Sequence, residues 1–231
     1  MAFSDFKSIQ QVQQAYNIRY EEDDYVRYDE ITPSSSFMEE FDFSRRHIDV
    51  FSSEASRCEN VIYPIIRDVY KHHVGKYSLW SHKSLSYDDV LTGTPDYIIT
   101  SKSSLGKTVL GRPVIIIVEA KQNNFTEGWG QCLAELLASQ KINGDENAPV
   151  HGIVTDGELW HFGKLIGDLF VKNETVLAIS ELKKLFGAIH HIAQVMMNDE
   201  HQNAARFRIA KSEPPSPPDL PIPREREGDE N

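Results

Sequence analysis

The sequence predicts an α/β fold, a mixed central sheet flanked by helices. Three observations carry that expectation. Residues Val114–Val118 form an apolar run, "VIIIV", of strand length and too short for a helix of ordinary size. The segment that follows, "TEGWGQCLAELLASQK", repeats its apolar residues at helical spacing. From residue 51 onward, strand-like and helix-like segments take turns along the chain, the pattern of a sheet covered by helices.

The elements follow in order. "FSSEASRCENVIYPIIRDVYKHH" places Phe51, Ala55, Cys58, Ile62, Ile65, Ile66 and Val69 at helical spacing, with Ser52 or Ser53 available as N-cap. Pro64 lies inside that pattern and predicts a kink or a break. "YSLWSHKSL" and "PDYIITSK" read as strands, the second opening on Pro95–Asp96. "SSLGKTVLGRP" reads as a turn or hairpin tip, and "VIIIVEAK" as the buried strand. The next helix has Thr126 as its expected N-cap and a stripe of Trp129, Cys132, Leu133, Leu136, Leu137 and Gln140. "PVHGIVTDGELWHFGKL" reads as two strands joined at Asp156–Gly157. "VLAISELKKLFGAIHHIAQVMM" reads as a closing helix capped by Ser180.

Composition bounds the function. At 231 residues the chain fits one domain plus appendages. The expected division is an acidic N-terminal extension over 1–50, a domain over 51–211 and a Pro-rich acidic tail over 212–231. That tail is poor in apolar residues and is expected to be disordered. No apolar run approaches the roughly 20 residues of a membrane helix. The N-terminus shows no apolar secretory core, and Cys58 and Cys132 form no framework, so a cytoplasmic protein with free thiols and no membrane partner is expected. The net charge is −11, but it is concentrated at the ends: residues 1–50 hold 11 acids against 5 bases, and residues 212–231 hold 6 against 2. The near-neutral middle leaves nucleic-acid binding open, although no basic stripe supports it.

The chemistry concentrates at the end of the buried strand. Side chains alternate across a strand, so Glu119 and Lys121 share one face while Val118 and Ala120 share the other. A carboxylate and an ammonium at such a place need a partner, a metal or solvent. If the strands "PDYIITSK" and "VIIIVEAK" pair as a hairpin, Asp96 comes beside Glu119. Two carboxylates at one spot repel unless one is protonated or a cation intervenes. Mg²⁺, which takes one or two carboxylates plus waters and phosphate oxygens, is such a cation.

"GTPDYIIT" followed by "VIIIVEAK" resembles the signature of the PD-(D/E)XK nuclease superfamily. Asp96, after Pro95, matches its aspartate, and Glu119 and Lys121 match its ExK. The resemblance runs in order over residues 51 to 165. The stretch "VHGIVTDGELWHF" resembles the strand pair that follows in restriction-endonuclease-like domains, such as the N-terminal nuclease part of type I restriction subunits. It implies a restriction-endonuclease-like core and an Mg²⁺-dependent endonuclease that hydrolyses phosphodiesters, usually in DNA, with Mn²⁺ as a substitute. Asp96, Glu119 and the Ala120 carbonyl are the implied metal ligands, and Lys121 the residue that positions the water. An upstream acid, Glu59 or Glu54, and Gln131 on the following helix are the implied supports. No separate recognition domain is evident, so specificity is either low or supplied by a partner, a second copy of this chain included.

Other readings compete. Asp96 as a turn cap with Glu119 and Lys121 as a rim ion pair would make the chain a catalytically silent module that binds protein or nucleic acid. "SLGKT" lacks the first glycine of a phosphate-binding loop, since Ser101 stands there. The pairs His72–His73 and His190–His191 have no metal-ligand spacing with a third residue. Trp129, Trp160 and Tyr97 are placed to fill a core rather than to stack on bases. Gln131 lies beside the apolar stripe, where a solvated face competes with a role in the site.

Overall fold

The structure is a computed structural model that describes residues 2–194. The Pro-rich tail, 212–231, lies outside the described residues. The elements are α1 (Ile9–Tyr16), β1 (Arg19–Asp23), α2 (Ser35–His47), α3 (Glu54–Arg57), α4 (Tyr63–Lys71), β2 (Tyr77–Ser81), β3 (Leu85–Ser86), β4 (Thr92–Gly93), β5 (Tyr97–Ser101), β6 (Val114–Ala120), α5 (Phe125–Asn143), β7 (Val150–Thr155), β8 (Leu159–Ile166), β9 (Leu169–Asn173), β10 (Leu177–Ala178) and α6 (182–194). The main sheet has the order β1-β9-β8-β7-β6-β5-β2, with β10 beside β8. It is mixed: β6 and β7 run parallel, as do β1 and β9, and the other neighbours are antiparallel. The chain is therefore an α/β protein with a mixed sheet flanked by helices.

The apolar run makes β6 because both of its faces are covered. All seven of its residues are buried, which is the environment in which a strand reads as continuously apolar rather than alternating. On one face α5 and the N-terminal segment pack over Val114, Ile117, Val150, Val154 and Leu165. On the other, α2, α4 and α6 cover Ile116, Val118, Ile153, Trp160 and Phe162. Tyr97, Trp129 and Trp160 are core residues, each no more than 2% exposed.

The helix after β6 is longer than its apolar stripe. Asn124, not Thr126, caps it, its side-chain oxygen accepting the Glu127 N–H at 3.2 Å. Gly144 ends it at φ 71°, a left-handed conformation that costs glycine little. Every residue from Gly128 to Gln140 is buried, because the sheet covers one side of α5 and the chain's first residues cover the other.

The α-helical pattern is interrupted just before Pro64, as its sequence suggests, but by a change of helix type. A π-helical turn, Cys58–Ile62, joins α3 to α4, and the Tyr63 N–H bonds the Cys58 carbonyl. Proline brings no N–H and clashes with the preceding turn, and the wider turn relieves both problems. Ser53 is the cap, accepting from the Ser56 N–H at 3.1 Å. Ser180 does not cap α6: it lies inside a 3₁₀ turn, Ile179–Glu181, that precedes it. The Asp156–Gly157 turn joins β7 to β8 as its sequence suggests, with Gly157 at φ 87°.

The first 50 residues are not an extension. Phe3, Phe6, Val12 and Ile18 are buried against α5, and Val26, Phe37, Phe41 and Val50 against the opposite face. β1 pairs with β9 from Arg19↔Leu169 to Asp23↔Asn173. The acidic cluster obscures this, because β1 is a polar, exposed edge strand with charged residues along it, a device that keeps other chains from adding to the sheet. No helix among the described residues is long and apolar enough to cross a membrane.

Candidate active site

The site is built where β5 begins and β6 ends. Tyr97 stands opposite Val118, and the same antiparallel register carries Asp96 opposite Glu119. A register shift between Ile99 and Thr100 leaves Ile115 as an extra residue on β6. Such a bulge rephases the alternation, so Ile116, Val118 and Ala120 face α4 and α6, while Ile117, Glu119 and Lys121 face α5.

Asp96 accepts the Ala120 N–H through Oδ2 at 2.8 Å, and its Oδ1 lies 3.4 Å from His82 Nε2. Glu119 is 1% exposed. Its Oε1 pairs with Lys121 Nζ at 2.9 Å, and its Oε2 is buried with no hydrogen-bond partner. Burial, and then the charge of Asp96, push the Glu119 carboxyl up to about 8. Burial also raises Asp96, against the opposing Ala120 N–H. For Lys121, burial favours the neutral amine, but the Glu119 carboxylate and the more distant Glu54 and Asp96 outweigh it and hold the ammonium above its ordinary value.

The supporting residues differ from the sequence expectation. Glu54, at the start of α3, accepts the Gln122 N–H at 3.3 Å, and its charge acts on Asp96, Glu119 and Lys121. Glu59, the first choice from sequence, is exposed on the wall of a cleft of about 550 Å³ that Glu54, Cys58, Ser81, His82 and Asp96 also line. Glu54 rather than Glu59 is thus the upstream acid that reaches the ExK segment.

Gln131 is not on a solvated face. It is 8% exposed, and its Nε2 donates to Glu135 Oε1 at 3.1 Å. Glu135 was visible in the sequence only as a neighbour of Gln131, yet it is fully buried behind Glu119, and its Oε2 has no partner. Burial, followed by the Glu119 charge, raises its carboxyl well above the ordinary range. A buried glutamate one turn from a buried glutamine was legible as a polar break in an apolar helix.

The chemical character of the site is a surplus of carboxyl groups over cations. Asp96, Glu119, Glu135 and Glu54 act on one another, and Lys121 is paired to one of them. Protons or a cation must balance the rest. Among the described residues, no three His, Cys, Asp or Glu are grouped to hold a metal ion. Asp96, Glu119 and the Ala120 carbonyl are the groups at this sheet end that could take part in holding a cation, and they do not make a closed all-protein cage. The unpartnered Glu119 Oε2 is balanced either by a proton, as the raised carboxyl favours, or by a cation.

The two histidine pairs, far apart in sequence, meet on the other side of the molecule, with His73 Nε2 and His190 Nδ1 3.0 Å apart. "SLGKT" lies in the irregular loop between β5 and β6, with no helix after it to receive a phosphate. Comparison of the chain with protein-family models and with curated proteins gives no match.

Proposed function

We propose that the chain is a nuclease with a restriction-endonuclease-like core that hydrolyses phosphodiester bonds, in DNA, with Mg²⁺ or Mn²⁺. One observation carries this reading: Asp96 and Glu119 are opposed in register at a sheet end, Lys121 is held beside them, and one buried Glu119 oxygen has no partner. The PD-(D/E)XK resemblance of the same three residues supports it.

In this reading Asp96, Glu119 and the Ala120 carbonyl hold the cation. When bound, it makes a water more acidic and stabilises the leaving oxygen. Lys121, freed from Glu119, orients the attacking water and neutralises charge developing on the phosphate. Glu54 adds an acid at the mouth of the cleft, where it can receive a proton. Gln131 holds the Glu135 carboxyl in place behind Glu119.

A second reading has its own observation. Asp96 Oδ2 and Glu119 Oε1 are already engaged by the Ala120 N–H and Lys121, which suits a catalytically silent module. The test is incubation with plasmid, linear duplex, single-stranded DNA and RNA, in Mg²⁺, Mn²⁺ or chelator. Cleavage should require the metal, and Lys121→Ala should abolish it while circular dichroism stays unchanged. Cleavage by Lys121→Ala at the unmodified rate removes Lys121 from the mechanism. No cleavage of any substrate leaves the silent module standing.

A further inference from the structure

Histidines that lie far apart in sequence gather at the end of β2 away from the candidate active site. His73, in the turn after α4, and His190, on α6, bring Nε2 and Nδ1 to 3.0 Å, with ring centres 4.6 Å apart. His72 sets its ring edge-on to His190 at 5.9 Å. The Gln194 side-chain amide lies 2.7 Å from the other His190 nitrogen, Nε2. Tyr77, whose ring is 6.1 Å from His73, stands opposite Ser101 at one end of β5. Asp96 precedes the other end of β5, about 17 Å along the strand.

The facing nitrogens have the chemistry and the spacing of two metal ligands. Imidazole ligates through a lone pair, so the ring must be neutral. Burial, followed by the charges of His190 and His72, holds His73 down to about 4, and burial with His72 and His191 lowers His190. Each neutral ring carries one proton on one of its two nitrogens. With the His73 proton on Nδ1 and the His190 proton on Nε2, both facing nitrogens present lone pairs. The Gln194 amide, turned with its oxygen toward His190, accepts the Nε2–H and fixes that tautomer, as the outer partners of metal-bound histidines do. Two nitrogens bound to one tetrahedral zinc ion stand about 3.3 Å apart, so the pair needs to open only slightly.

The groups also select the ion. No carboxylate is among the charges that act on His73 and His190, whereas Mg²⁺ and Ca²⁺ take oxygen ligands. Imidazole suits zinc, copper and nickel. Among the described residues no three His, Cys, Asp or Glu are grouped to hold a metal ion, so two imidazoles make an open site in which water fills the other positions. His72 and Gln194 are exposed and His190 is half-buried, so solvent ions reach the pair from the α6 side. We propose that His73 and His190 together bind a divalent transition-metal ion of the zinc, nickel and copper class, which staples the end of α4 to α6. This site is independent of the nuclease reading.

The test is calorimetric titration of the full chain with Zn²⁺ at pH 7, in a buffer that does not bind metal, with the histidine ring signals followed by NMR. Each titration is repeated in Asp96→Ala, which removes the candidate active site as a competing ligand. In both proteins Zn²⁺ should bind saturably and shift the His73 and His190 signals, and Mg²⁺ should leave those signals in place. His190→Asn sets an amide oxygen where Nδ1 stood, so it keeps an acceptor for His73 and loses the ligand. In the Asp96→Ala background it should weaken Zn²⁺ binding at least tenfold, with circular dichroism unchanged. The proposal is overturned if Zn²⁺ does not bind, if it binds without moving the His73 and His190 signals, or if Mg²⁺ moves them equally. It is also overturned if Asp96→Ala abolishes those shifts, or if His190→Asn retains full affinity.

Discussion

Glu119 has two oxygens in two different situations, and its replacement separates them. On the proposed metal-dependent reading, Glu119→Gln keeps the shape but would leave Asp96 as the lone acidic ligand, and Mg²⁺ gives up its waters reluctantly for so weak a site. Mg²⁺ affinity should fall more than tenfold, about 1.4 kcal/mol, when titrated calorimetrically beside the unmodified protein. Equal affinities would count against the metal-holding role. Glu135 offers a separate measurement. Its carboxyl titrates higher in the folded chain than its ordinary value of 4.5, so the folded state keeps a proton that the unfolded state loses. That stabilisation is complete below about pH 4.5 and is lost as pH rises toward the folded value, at up to about 1.4 kcal/mol per pH unit. Glu119, raised to about 8, adds to the same trend. In chelator, melting temperature should therefore drop from pH 5 to pH 8. Glu135→Gln should flatten that slope, matching the unmodified protein near pH 5 and exceeding it at pH 8. An unchanged slope would show that Glu135 does not hold the proton.

At the scale of the element, α5 joins the two halves of the argument. Its apolar residues hold the sheet, and its polar pair, Gln131 and Glu135, lies behind Glu119. Its buried outer side depends on close approach of the N-terminal segment. A Cβ at Gly130 would collide with the Ser8 backbone nitrogen and come within 2.7 Å of the Phe6 carbonyl oxygen. These are main-chain atoms that cannot rotate away. Gly130→Ala should thus destabilise the protein by about 1–3 kcal/mol, the usual cost of overpacking, although alanine is the better helix former. Denaturant unfolding measures it. A stability gain would mean that residues 2–8 do not dock there.

For the whole molecule the same contact sets the domain boundary. Phe3, Phe6, Val12 and Ile18 are all buried, and full burial of such side chains is worth about 1.5–3 kcal/mol each. Their sum is comparable with the roughly 5–15 kcal/mol of net stability of a whole domain. Deleting residues 1–24, which also exposes the β9 edge, should abolish cooperative thermal unfolding and cause aggregation. A truncated chain that melts as sharply as the full one would restore residues 1–50 to the status of an extension.

The sequence by itself determined what depends on neighbours along the chain. Five apolar residues in a row made a buried strand, and the two-residue repeat placed Glu119 and Lys121 on one face. The spacing of Trp129, Cys132, Leu133 and Leu136 made a helix that begins within two residues of its expected start. Asp156–Gly157 made a turn. These follow from covalent geometry and local burial, which any short window contains. Tertiary structure decided what depends on register and on distant partners. The pairing of β5 with β6, bulged at Ile115, set Asp96 across from Glu119. The docking of α3 put Glu54, and not Glu59, within hydrogen-bond reach of Gln122, next to the ExK segment. Gln131 and Glu135 became buried because α5 packs on the sheet beside Glu119, and β1 joined the sheet despite reading as an acidic appendage. A long-range pairing fixes which face a side chain takes by a shift of one residue, and no local pattern records that choice.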